Sequence, residues 1–254
     1  MKYFVNKKSI VREIWGKSDT ILIIFAGASA EFALNKAVDW LYYTGKLPSD
    51  PLGRLFSTVD YARKIVFSEL ETANKTIDTI AGIHSSVESK RGATIPDWAY
   101  RDVLFMLIDY SIRSYELLEK KLSYSQKEEV FDVFKRMGKR MGLKGLPEDY
   151  AEWLIMRSEH LKDNLVKSDF TIDLYKQYKK NLGKVRYKLL LETQKLVVPK
   201  KVNTLLHLGN YSLLKPLLMF YKLLQKISLD ELLKNLILPQ KYLKEIRAMD
   251  MVKE

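Results

Sequence analysis

The chain has 254 residues, 47% of them apolar and 29% charged, a globular balance that excludes wholesale disorder and is long enough to bury a large core without staples. It contains no cysteine and three histidines, His84, His160 and His207, which excludes disulfide scaffolds, Cys-ligated zinc, iron–sulfur clusters and a cysteine nucleophile. The net charge of +12 is uneven: residues 176–254 hold 17 Lys and Arg against six Asp and Glu, whereas residues 1–175 hold 26 against 25.

Glycine and proline are scarce and fall between segments of helical period. The first twenty residues mix Lys7, Lys8, Arg12, Glu13 and Lys17 with apolar residues, so no signal peptide is expected. Asp19 is placed to cap a helix from Thr20 to Tyr43. Its apolar run Ile21–Ala30 stops at Glu31, well short of the ~20 helical residues that span a bilayer. The expectation is a soluble or peripheral protein, cytoplasmic by default.

Gly45, Pro48 and the Asp50–Pro51 step break that helix, and Pro51 suits the first turn of a second one running to Phe67. Thr72–Val87 reads as a third, with Ile77, Ile80, His84 and Val87 on one stripe. The polar stretch Glu88–Pro96 reads as a loop around Arg91-Gly92, and Asp97–Glu119 as a long apolar helix. Ser125 with Glu128 forms a capping-box start for a helix to Met141, closed by Gly142, Gly145 and Pro147. Further helices are expected over Glu148–Leu165, Phe170–Val197, Lys200–Leu206 and Leu213–Ile227, with two short ones after them. No alternating strand pattern exceeds a few residues. The pattern predicts one all-α domain over residues 1–254 with about ten helices.

In the basic C-terminal third the lysines sit among leucines, as in Leu213-Leu214-Lys215-Pro216-Leu217-Leu218. This pattern suits a basic amphipathic helix at an anionic lipid headgroup layer. It equally suits a core helix with a solvated lysine edge. Base-stacking aromatics are not interleaved with the lysines, so nucleic acid is not an expected partner.

There is no Gly-rich phosphate loop, HExxH motif or nucleophile elbow. Three features carry chemistry instead. His84 lies on an apolar helix stripe, where an imidazole is either an axial haem ligand or a core histidine bonded to a carbonyl. Arg54 and Thr58, spaced i,i+4, share a helix face. They are placed to bind a propionate or an oxygen ligand, or Arg54 bridges to a carboxylate. Glu31 interrupts an apolar face, and is either paired with a basic residue or poised as a base.

The run Asp50-Pro51-Leu52-Gly53-Arg54-Leu55-Phe56-Ser57-Thr58 resembles the "DPxGRLxxT" signature of the DUF2236 family, which includes the MpaB oxygenase and the latex-clearing proteins. Ile83-His84-Ser85-Ser86-Val87, Leu107-Ile108-Asp109 and Val198-Pro199 are similar to later features of that family, in the same order. The resemblance implies an all-helical haem b protein that cleaves isoprenoid double bonds with dioxygen. It implies that His84 ligates the iron, that Arg54 and Thr58 lie near the haem on its distal side, and that Glu31 serves as a base or orients substrate. The chain departs from the pattern at Leu34-Asn35, at Leu104 and at Glu88, and Ser57 stands where the latex-clearing branch has an iron-capping lysine. The implied partners are an apolar substrate and dioxygen, to which the basic C-terminal third adds an anionic membrane surface as an expected partner. A haem or lipid carrier of the same fold, and a cofactor-free membrane-surface protein, are the competing readings.

Overall fold

Ser9 accepts the Val11 amide on its hydroxyl at 3.1 Å and so opens α1, Ile10–Trp15. The computed structural model describes residues 2–43, 49–216 and 218. After α1 come α2 (Ser18–Phe32), α3 (Asp39–Tyr43), α4 (Pro51–Phe67), α5 (Leu70–Arg91) and α6 (Asp97–Leu118). Then follow α7 (Tyr124–Arg140), α8 (Tyr150–Asp163), α9 (Asp169–Val197) and α10 (Lys200–Leu206). The fold is all-α. Among the described residues extended pairing is confined to two isolated antiparallel bridges, Tyr3 with Glu69 and Asn35 with Leu165.

α4 begins where the Asp50–Pro51 step puts it. The Gly53 amide donates to the Asp50 carboxylate at 2.9 Å, and Pro51 takes a first-turn position where no amide hydrogen is needed. Pro199 stands one position earlier on α10, at its N-cap. The helix expected over Thr20–Tyr43 instead runs from Ser18 to Phe32, and Asp19 lies inside its first turn rather than at its cap. It stops because partners arrive from a distant segment. The Val166 amide donates to the Leu34 carbonyl at 2.8 Å, and the Lys36 amide to the Asn164 carbonyl at 3.0 Å.

α5 runs through the expected loop to Arg91, and Gly92 ends it at φ 66°, a left-handed conformation that glycine adopts without strain. α7 is capped by a Ser123–Gln126 box, two residues before the expected Ser125. The helix expected over Leu213–Ile227 and those after it fall, apart from residues 213–216 and 218, outside the described residues.

α6 lies at the centre, with Leu104, Phe105, Ile108, Tyr110 and Tyr115 all buried. α2 packs along it, α7 packs against α6 and α1, α4 lies on α5, and α9 crosses back over α2. The approach of α2 to α6 depends on Gly27, because a Cβ there would stand 2.3 Å from the Tyr110 ring. Trp15 and Trp153 belong to the same core cluster, and burying each large apolar side chain contributes about 1.5–3 kcal/mol. The buried Trp15 Nε1 donates to the Ser111 hydroxyl at 3.2 Å. No helix of the described residues is long and apolar enough to cross a membrane.

Candidate functional site

A cavity of about 700 Å³ opens between α2, α4, α5, α6 and α9. Apolar and aromatic side chains make most of its wall, among them Phe25, Tyr61, Ile80, Leu107 and Leu190. This is the size and character of a cofactor or small-molecule pocket. His84, Arg54 and Thr58 line it together, as do Asn35 and Leu104; Glu31 does not.

α5 presents His84 at this wall. The Nδ1 atom is buried and has no hydrogen-bond partner among the described residues, so no carbonyl among them bonds that nitrogen. Burial pushes the imidazole below its ordinary pKa; the Arg54 guanidinium adds to this and Glu88 opposes it. His84 is therefore held neutral, with a lone pair free on its ring. Its ring packs on Tyr100 with centroids 5.3 Å apart. Glu88 ties that neighbour down: its Oε1 accepts the Tyr100 hydroxyl at 3.2 Å and the Ile95 amide at 2.8 Å. A second, more polar cleft of about 760 Å³, lined by Ser85, Glu88, Thr94 and Lys144, also borders His84.

Arg54 is exposed at the cavity and makes no ion pair among the described residues. The Thr58 hydroxyl donates to the Arg54 carbonyl at 2.9 Å, one turn back on α4, which leaves its oxygen lone pairs as acceptors. Ser57 bonds the same carbonyl at 2.9 Å. Among the described residues no three His, Asp or Glu side chains cluster to cage a bare metal ion. A lone imidazole on an apolar wall fits a prosthetic group that brings its own donors.

Glu31 is fully buried and paired. Arg157 on α8 donates to its two oxygens at 2.5 and 2.7 Å, and the Tyr110 hydroxyl donates at 2.9 Å. Arg157 also donates to Asp109 at 2.8 and 3.0 Å. These carboxylates hold the guanidinium charged against the cost of burial. His160, one turn on from Arg157, stands 3.2 Å from Glu31 and 3.4 Å from Asp102. Burial and the Arg157 charge push it down to about 2. Burial pushes Asp102 up to about 6, although Asn35 and Asn164 donate to it at 3.0 and 2.9 Å. This cluster joins α2, α6 and α8 behind the cavity wall, and of its members Asn35 alone reaches the cavity lining.

Sequence reasoning did not single out Arg157, His160 or Tyr100, nor Arg186, which lines the cavity from α9. Arg157 and His160 meet partners far away in the chain, and Tyr100 meets His84 and Glu88 only because the turn after α5 folds α6 back on it. Arg186 sits in a run of lysines and reads as a solvated charge.

Residues 15–228 match the family model described as ER-bound oxygenase mpaB/B'/Rubber oxygenase, catalytic domain. No curated protein and no solved structure matches the chain. The matched residues include α2 through α10, and the Asp50–Thr58 run at the cavity is the one that resembles this family. The chain belongs to the family of mpaB/B' and rubber oxygenase catalytic domains, an oxygenase family.

Proposed function

We propose that this protein is a haem b-dependent oxygenase acting on an apolar, unsaturated lipid chain, isoprenoid in type, with His84 as the axial ligand. The observation that carries the reading is the buried Nδ1 of a neutral His84, without a partner among the described residues, at the wall of an apolar cavity of about 700 Å³. A buried imidazole nitrogen without a partner is costly, and iron ligation at that nitrogen would offset the cost. The haem, when bound, supplies the activation of dioxygen and the redox chemistry.

The chain's own residues do the rest. His84 binds through a neutral ring, and the Tyr100 ring, held by Glu88, orients it. Arg54 brings an uncompensated positive charge beside it, suited to a propionate or to oxygen on which negative charge develops. Thr58, its hydroxyl hydrogen given to the helix, offers acceptor lone pairs at the same wall. The aromatic and aliphatic lining excludes water and accepts a hydrocarbon chain. Glu31 is assigned to the ion-pair cluster rather than to chemistry, since both of its oxygens are occupied. The lysine-rich C-terminal third suits a protein that draws lipid from an anionic membrane surface.

Oxygen uptake by the haem-supplied protein, with and without an unsaturated lipid, tests the reading. Lipid-dependent uptake supports the oxygenase. Retained haem without any uptake points to a carrier, and vesicle binding that salt abolishes reports the surface role separately.

A further inference from the structure

The charge along the cavity is of one sign. Among the described residues that line it, Arg54 and Arg186 are cationic and none is acidic. Neither makes an ion pair among the described residues. Both are solvent-exposed, so each presents a guanidinium at the edge of an apolar cavity with no acidic side chain among its described lining residues.

Arg186 keeps its place on one face of α9 across a break in the backbone. The helix is interrupted at Gly183, with φ 72° and ψ 171°, a conformation essentially reserved for glycine. Before the break, Tyr178 and Leu182 face the cavity. Arg186 follows Leu182 by four residues and Tyr178 by eight, so it stays on that face across the break, as Leu189 and Leu190 do. Val185 beside it is 75% exposed, and Arg186 is itself exposed where it lines the cavity. Arg186 thus stands where the apolar cavity meets water.

We infer that Arg186 receives the anionic head of the bound lipid. The ligand is then an amphiphile with a carboxylate or phosphate head on a long unsaturated chain, rather than a neutral hydrocarbon. This rests on the lipid-oxygenase reading for what happens to the chain, but the head-group recognition stands on the cavity alone. A guanidinium pairs with carboxylate and phosphate oxygens through parallel N–H donors, so either head satisfies it. Arg54, beside His84, remains for the prosthetic group.

The test is equilibrium binding of oleate, oleyl phosphate, methyl oleate and oleyl alcohol to the haem-supplied full chain, below micellar concentrations, read by tryptophan fluorescence. The expected result is a preference of about fivefold or more for the two anionic lipids over the neutral ones, as for an exposed to half-buried ion pair. Oleate above oleyl phosphate, or the reverse, names the head. The preference should vanish in Arg186→Gln and largely survive in Arg186→Lys, with the haem absorption unchanged in both. Equal binding of charged and neutral lipids, or a preference that survives Arg186→Gln, overturns the inference. So does loss of haem in Arg186→Gln with the preference intact, which would make Arg186 a propionate partner. The haem absorption reports on the oxygenase reading independently of which lipid binds.

Discussion

Glu31 and Arg157 form a two-pronged ion pair across 126 positions of sequence, with N–O distances of 2.5 and 2.7 Å. Their side chains are 0% and 4% exposed. Such a pair joins helices but is costly to break, because each charge left alone is stranded away from water. Arg157→Met therefore leaves Glu31 and Asp109 without their shared cation. We expect a loss of about 3–5 kcal/mol in urea unfolding, with part of it recovered when Glu31→Gln is added. Equal loss in the single and double variants would show that Arg157 acts through packing instead.

The pair also sets a pH dependence through His160. Its folded pKa, about 2, lies below the ordinary value of 6.5. The unfolded chain therefore takes up a proton below about pH 6.5 that the folded chain refuses. This contribution to stability is present above pH 6.5 and is lost as pH falls. Asp102, raised to about 6, acts in the opposite direction, so the comparison is with a variant. Relative to His160→Gln, the wild type should lose about 1–2 kcal/mol between pH 7 and pH 5. Parallel stability curves for the two proteins would contradict a neutral, buried His160.

Gly27→Ala tests the contact at the centre of the fold. Alanine favours a helix by roughly 1 kcal/mol, yet its Cβ would stand 2.3 Å from the Tyr110 ring and 3.0 Å from Val197 Cγ1. Tyr110 cannot swing away freely because its hydroxyl bonds Glu31. We expect a net loss of about 1–3 kcal/mol, seen as a lower melting temperature.

Arg54 separates chemistry from stability. It is exposed and unpaired among the described residues, so Arg54→Gln should change folding stability by less than about 0.5 kcal/mol. It also lowers the His84 pKa. In the variant the His84 ring protons should titrate at higher pH, followed by NMR on the chain without haem, while lipid-dependent oxygen uptake falls at least about tenfold. An unchanged titration would place the guanidinium too far away to serve the site.

Local chemistry was legible where it alone decides the structure. Asp50 and Pro51 start α4, Pro199 starts α10, and the apolar stripe carrying His84 reaches the cavity as its spacing implies. The Asp50–Thr58 run identified the family. The break after Phe32 was not legible, because Leu34 and Asn35 continue a helical pattern without glycine or proline. The partners that unwind it, Asn164 and Val166, lie about 130 residues further along. Glu31 could be read as paired or as a base, but its partner could not be named. Arg157 and His160 show a helical spacing that fits any surface turn, and their burial comes from the packing of α2 and α6. Arg186 was hidden because it is an exposed cation among lysines, and only the packing of α9 over α2 places a cavity beside it.

The most direct test of the account is the visible absorption spectrum of the full chain expressed with haem supply, beside that of His84→Ala. The account predicts a strong Soret band in the wild type that is lost or shifted in the variant, while the far-ultraviolet circular dichroism of the two chains stays alike. A wild type without a Soret band after haem reconstitution, or a band that His84→Ala leaves unchanged, would contradict it.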